Sequence, residues 1–346
     1  MPSALGRDGL VAAVILCLVL LPRIALAQQG KATEFTSAIF QSEVYLPDFV
    51  ANDKGFAAKH GLDMKFVTPQ SGVAAAQLML AGAVKGWATD PLIILTAASK
   101  GNNVKLAGIA TPMMAYTVMV SKTGDWPAEG SSFADRIKAL KVKRIGVSGI
   151  GAGTDHALIL MLQAVGLSEK DVTRIGIGEQ QAAIGQLSGG AIDAFVSFSL
   201  SGNAIIQQQT GARRYVATFD PDAPQGIREL PFTCFAVAGD FAAKNQETVA
   251  NWLAAEADAI AWIRANPDGA AEVLNAHVFN GQQLELAKKI IPQMIKIYFE
   301  GTPPGFKVYR KTFDLLAKAG QDLGSFPSGS TPKYEDTVIP GAQSAN

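Results

Sequence analysis

A chain of 346 residues, 48% apolar and 17% charged, can bury the core of one large or two medium domains. Its 30 basic residues balance 30 acidic ones, which leaves no electrostatic footprint for nucleic acid. Two cysteines and three widely separated histidines exclude a disulfide framework and a thiolate metal cluster, so no metal and no cofactor is expected.

The chain starts with Arg7, an apolar run over 10–21 and small residues at Ala25 and Ala27. That order is the signature of a secretory leader, 1–27, cleaved after Ala27. The run is too short for a comfortable membrane span, and no later stretch is long and apolar enough for one. The mature protein is therefore expected to be exported, in the periplasm, and not membrane-embedded. Cys17 follows Leu16, where lipid attachment would want a small residue, and Cys234 is then the sole mature cysteine.

The pattern next alternates strand and helix: strand 34–40, helix 48–60, strand 64–67, helix 73–80, strand 85–89. The same order returns as strand 143–148, helix 155–165, strand 173–177, helix 182–187, strand 193–198. The letters repeat as well, since AGAVKGWAT at 81–89 aligns with GGAIDAFVS at 189–197. This predicts an α/β fold of two doubly wound lobes, each a parallel sheet with right-handed crossover helices. Ligands of such sheets bind beyond the carboxyl ends of the strands.

Two extended apolar runs, 106–121 and 229–239, are expected to cross between the lobes. After them Val249, Trp252, Leu253, Ile260 and Ile263 fall at helical spacing, in a section expected to pack back onto the first lobe. Asn266-Pro267 breaks that helix. The expected division is lobe I over 31–117 plus 233–324, lobe II over 118–232, and a wrapped or loose tail over 325–346. Two crossings form a hinge whose cleft can shut on a solute, provided the solute binds the shut state better.

The stretch RIGVSGIGAGTDHALILML, 144–162, reads as strand, glycine-rich turn and helix. Gly149 and Gly151 fit a dinucleotide fingerprint, but Thr154 stands at its third glycine and no Gly-Lys-Ser/Thr follows. What remains is a modest anion or polar-group site at a helix start, or plain capping. The strand-end loops of the first unit nominate Gln41, Glu43, Tyr45, Leu46, Ser71, Gly72, Thr89 and Asp90 as ligand contacts. The first crossing adds Met114 and Tyr116. The second unit adds Ser148, Gly151, Gly153, Thr154, Asp155, Ser197 and Phe198. Ser71 and Thr154 can also serve as caps, worth about 1 kcal/mol each. Asp90-Pro91 can open a helix, and Tyr45 and Phe198 can be core rings. None of these loops offers Arg or Lys, the partners that buried phosphates and carboxylates attract. A highly charged anion is disfavoured. A monoanion held by helix starts and hydroxyls fits, as do a zwitterion whose amine meets Asp90 or Asp155 and a small aromatic or amide-bearing molecule.

The segments YLPDFVANDKGFAAKHGLDMKFVTPQSG, LMLAGAVKGWATDPL, IGVSGIGAGTDHALILMLQAVGL and QLSGGAIDAFVSFS carry a resemblance that covers nearly the whole mature chain. The sequence resembles the periplasmic substrate-binding proteins of ABC importers, of the nitrate/sulfonate/taurine type, a family that includes binders of thiamine-pyrimidine precursors and aromatic acids. The resemblance implies a type II periplasmic-binding fold with a ligand cleft between two lobes. It implies a monomer that hands a small-molecule ligand to an inner-membrane permease with its ATPase, and no enzymatic activity. In the matching loops it implies contact through hydroxyls, backbone N–H groups and one or two aromatics. Two departures touch the ligand class more than the fold: Lys85 stands where the family often has an acid, and GTDH replaces the Gly-Ser/Thr neighbourhood of sulfonate binders. The rival readings are a ligand-presenting sensor partner and an exported enzyme on the same fold. One enzymatic branch uses iron and a cysteine-rich motif, which Cys234 alone cannot supply.

Overall fold

The computed structural model describes residues 32–178 and 180–344; the expected leader lies outside the described residues. The first unit runs β1 (Thr33–Ala38), α1 (Leu46–Asp53), α2 (Phe56–Lys59), β2 (Leu62–Val67), α3 (Gly72–Leu80), β3 (Gly86–Thr89), α4 (Pro91–Ser99) and β4 (Val104–Thr111). The pattern predicts one helix over 48–60, but Gly55, at φ 75°, takes a left-handed turn that splits it into α1 and α2. The second unit runs β5 (Thr117–Val120), α5 (Phe133–Lys138), β6 (Arg144–Val147), α6 (Gly153–Gln163), β7 (Thr173–Gly176), α7 (Gln180–Ser188), β8 (Ala194–Ser197), α8 (Leu200–Thr210) and β9 (Arg213–Ala217). Then come α9 (Gln225–Arg228), β10 (Thr233–Ala238), α10 (Gly239–Lys244), α11 (Gln246–Ala265), α12 (Pro267–Val278), α13 (Leu284–Met294), β11 (Val308–Tyr309), α14 (Arg310–Asp322), α15 (Tyr334–Thr337) and β12 (Gln343–Ser344).

Two five-stranded sheets result, ordered β2-β1-β3-β10-β4 and β7-β6-β8-β5-β9. The orders correspond place for place, so the repeat read in the letters is a repeat of topology. In the first unit β1, β2 and β3 pair in parallel, and in the second β6, β7 and β8 do, as their crossover helices require. The alternation predicts wholly parallel sheets; both are mixed, because β10 and β5 run antiparallel to their neighbours. The register gives the reason. β10 starts beside the end of β3, with Cys234 opposite Thr89, and β5 starts beside the end of β8, with Thr117 opposite Ser197. A strand arriving from the other lobe enters at the edge where the parallel strands end, and so must run back against them.

The chain leaves the first sheet after Thr111 and joins the second at Thr117; it returns through 218–232, ahead of the extended run at 229–239, most of which is β10 itself. As the helical spacing predicts, α11 buries Val249, Trp252, Ile260 and Ile263, while Leu253 is only partly covered. The Trp252 ring lies 4.9 Å from Phe35 of β1 and 5.1 Å from Phe235 of β10, which fixes α11 on the first sheet. The tail is wrapped: β12 pairs with β11, and Ile339 donates its N–H to the Leu106 carbonyl. No helix among the described residues is long and apolar enough to cross a membrane.

Candidate ligand site

The carboxyl ends of both sheets face a shared cavity of about 60 Å³, room for on the order of five waters. Local sequence positions each wall. Asp90 accepts from the Leu92 N–H at 2.9 Å and Pro91 fills the first helical place, so the Asp-Pro pair starts α4 at the end of β3. Ser71 caps α3 through the Ala74 N–H at 3.2 Å. Across the cleft, Thr154 Oγ1 accepts from the Ser148 N–H at 2.9 Å, folding the glycine turn back onto the start of α6. Gly153 is required by close approach: a Cβ there would lie 2.9 Å from the Asp90 Cβ and would overlap the Tyr116 hydroxyl.

Six rings line this space: Phe40, Tyr45, Trp87, Tyr116, Phe198 and Phe232. Phe40 of the first lobe meets Phe198 of the second edge-on at 6.1 Å, and Phe232 meets Tyr116 edge-on at 4.9 Å. Among the described residues no lysine or arginine lines the cavity, and the one charged residue that does is Asp90. That carboxylate is buried against the first turn of α6, where its Oδ2 lies 2.9 Å from His156 Nδ1. Burial first, and then the Asp90 charge, push the Tyr116 hydroxyl and the Cys234 thiol well above their ordinary ranges. Both groups are therefore neutral at physiological pH. The hydroxyls of Thr89 and Tyr116 face the cavity and take no protein hydrogen bond among the described residues. The Ser71 hydroxyl has accepted one hydrogen bond and keeps its proton to give.

Of the residues nominated from sequence, Tyr45, Ser71, Gly72, Thr89, Asp90, Tyr116, Ser148, Gly153, Thr154 and Phe198 line the cavity. Six others do not. Gln41 borders a neighbouring cleft of about 200 Å³ with Thr68, Gln180 and Ser201. Leu46 and Met114 are buried in the core, one residue away from Tyr45 and two from Tyr116. Gly151 makes the turn, at φ 78°, and gives its N–H to Asp155 at 2.8 Å. Asp155 spends its remaining capacity on Arg174 at 2.7 Å, so it is not open to a ligand amine. Ser197 is fully buried and donates to Gln180 Oε1 at 2.5 Å.

The sequence reading passed over Phe40, Trp87, Phe232, Thr233 and the His156 partner of Asp90. Trp87 carried a usable signal, since it stands at an aromatic position of the repeat just before a strand end. His156 had none: it is 66 positions from Asp90. Glu43, named only as a loop residue, is fully buried. Its carboxylate accepts from Tyr298 Oη at 2.7 Å and Ser199 Oγ at 2.7 Å, and also from the Leu200 N–H and the Ser201 N–H and hydroxyl.

The same fold is found in solved structures. A protein from Bordetella bronchiseptica RB50 aligns with a TM-score of 0.71 at 21% identity, over 90% of this chain and 95% of that one. The alkanesulfonate-binding protein SsuA from Xanthomonas axonopodis pv. citri, bound to MOPS, aligns at 0.69 and 13% identity, over 91% of this chain and 98% of that one. The desulfurization enzyme DszB aligns at 0.55 and 16% identity, over 84% of this chain and 91% of that one. The architecture is thus the periplasmic binding protein fold, which binding proteins and at least one enzyme share. No curated protein sequence matches the chain. The pattern that defines the NMT1/THI5-like family matches residues 43–270, well over half of the sequence, and the chain belongs to that family.

Proposed function

We propose that this is an extracytoplasmic solute-binding protein of an ABC import system. It captures a small organic solute between its lobes, as a monomer, and presents the shut form to an inner-membrane permease. The observation that carries this reading is the cavity at the facing sheet edges, with the Thr89 and Tyr116 hydroxyls turned into it and unpaired. Unpaired buried hydroxyls are costly unless something completes their hydrogen bonds, and a solute does so only while bound. The family membership and the SsuA likeness support the importer role, and the leader signature supports export.

The wall chemistry narrows the solute. Rings on several sides favour a flat or apolar body. Hydroxyls and the first N–H groups of α6 favour one polar end, and Asp90 favours a hydrogen-bond donor or amine over a second negative charge. A small aromatic, amide-bearing or zwitterionic solute fits better than a free sulfonate. DszB keeps an exported enzyme as the second reading. Among the described residues, no group of three or more His, Cys, Asp or Glu is placed to hold a metal ion.

The test is a thermal-shift screen of the leaderless chain against alkanesulfonates, aromatic carboxylates, pyrimidines and amino acids, followed by calorimetry on each hit. A ligand at a hundredfold its dissociation constant adds about 2.7 kcal/mol. A hit from the aromatic or zwitterionic groups that is recovered unaltered supports the reading. A largest shift from an alkanesulfonate would reverse the ligand class, and turnover of the bound solute would reverse the assignment as a binding protein.

A further inference from the structure

Glu43 sits in a short turn just after β1, between Ser42 and the cavity-lining Val44, and it is wholly shielded from water. Its hydrogen-bond donors come from both lobes. Tyr298 donates from the section that packs on the first sheet. Ser199 and Ser201 donate through their hydroxyls, and Leu200 and Ser201 through their N–H groups, all at the start of α8 in the second lobe. Ser42 is a weaker neighbour at 3.4 Å. Among the described residues no lysine or arginine donates to it. Ser199 is the N-cap of α8, an eleven-residue helix, and such a helix start with unpaired N–H groups is a ready anion site. Here the anion is a side chain of the opposite lobe. Val44 and Tyr45, which follow Glu43, and Phe198, which precedes Ser199, all line the ligand cavity.

We infer that Glu43 is a built-in anion that determines specificity: it occupies the α8 anion site that a negatively charged solute would otherwise take, and it ties the lobes together there. The cavity is left with rings, hydroxyls and Asp90, and among the described residues with no cation to hold a free anion. In a parted arrangement Glu43 keeps Tyr298 but exchanges four second-lobe donors for water, so the carboxylate biases the lobes toward the shut state. This deepens the proposed function, because it explains which solutes the site refuses. It can be tested without knowing the solute, so its failure is separate from a failure of the screen above.

The experiment compares wild type with Glu43→Ala by small-angle scattering and by calorimetric titration with acetate and methanesulfonate. Circular dichroism establishes folding. Wild type should bind neither anion and should keep its scattering radius when they are added. Glu43→Ala should scatter as a more open particle and bind at least one of the anions about tenfold or more tightly than wild type. The bound anion should return its radius toward the wild-type value. Equal anion binding by the two proteins, or a wild-type radius in Glu43→Ala without added anion, overturns the inference. If Glu43→Ala does not fold, Ser199→Ala/Ser201→Ala removes the same tie from the other side. An enlarged radius in that variant supports the inference, and an unchanged one overturns it.

Discussion

The two lobes share one strand order, yet they bring unlike groups to the cleft. The first lobe presents carboxylates, Glu43 and Asp90. The second presents what receives them: the start of α8 for Glu43, and His156 at the start of α6 for Asp90. Equivalent positions diverge in the same way. Thr89 and Ser197 each sit opposite the incoming antiparallel strand, but Thr89 turns a free hydroxyl into the cavity while Ser197 is taken up by Gln180 and Ser199. Trp87 lines the cavity, whereas Phe195, its counterpart in the repeat, is core packed with Met119 and Ile206. Duplicated topology supplies two facing edges, and the side chains then divide the labour between them.

The buried acids extend this contrast and carry the largest expected effect. In the first lobe, burial pushes the Asp48 carboxyl up from 3.8 to about 7, against hydrogen bonds from Ser37 and from the backbone that oppose the rise. Glu256, on the facing α11, is pushed well above its ordinary range by burial and by the Asp48 charge. The second lobe instead pairs Asp193 with Arg144, which holds that carboxyl below its ordinary range. An acid whose folded pKa is raised stabilises the fold fully below its unfolded value and loses that contribution as pH climbs through the folded value. The first lobe should therefore weaken between about pH 4 and pH 7, by on the order of 4 kcal/mol from Asp48. Asp48→Asn with Glu256→Gln should remove that slope and raise the melting temperature at pH 8. A melting curve that kept the wild-type pH dependence would show that these acids do not set it.

Substitutions at two positions probe the contact between the lobes. Gly153→Ala puts a methyl into the space held by Asp90 and Tyr116, so the lobes cannot come fully together. Overpacking of this kind costs about 2–3 kcal/mol, read as a loss of about 30- to 160-fold in affinity for the best hit of the solute screen. The ligand-free melting point should fall much less if the lobes part to relieve the clash. Asp90→Ala removes both the α4 cap and the partner of buried His156, and should cost about 2 kcal/mol of ligand-free stability. Asp90→Asn keeps the cap acceptor and should recover part of it.

How much of this was legible in the sequence depended on distance along the chain. The repeat AGAVKGWAT and GGAIDAFVS, the Asp90-Pro91 start and the Gly153-Thr154 helix start are local signals, and they point to the strand ends that border the cavity. Which side chain of a loop faces inward was less readable. Gln41 turns to the neighbouring cleft where Phe40 lines the cavity, and Met114 is core where Tyr116 lines it, because loop residues have no fixed period to orient them. Contacts made only when the lobes meet left no local trace. Glu43 meets Ser199–Ser201 and Tyr298, which are 156 to 255 positions away.

The smallest expected effect separates the two hydroxyl roles that the sequence reading left open, ligand contact and capping. Thr154 Oγ1 already accepts from the Ser148 N–H and is hydrogen-bonded to the Ser148 hydroxyl, so it belongs to the framework of the glycine turn. Thr89 Oγ1 has no protein partner among the described residues and faces the cavity. Thr154→Ala should therefore lower the ligand-free stability by about 1 kcal/mol, whether or not solute is present. Thr89→Val keeps the shape and removes only the hydroxyl. It should leave the ligand-free melting point in place and weaken binding of the best screen hit by about fivefold, near 1 kcal/mol. Calorimetry and melting on the same two proteins give the four numbers needed. If Thr89→Val lowers the melting point without touching affinity, the Thr89 hydroxyl is structural, and the ligand's polar end must be placed at Tyr116 and α6 instead.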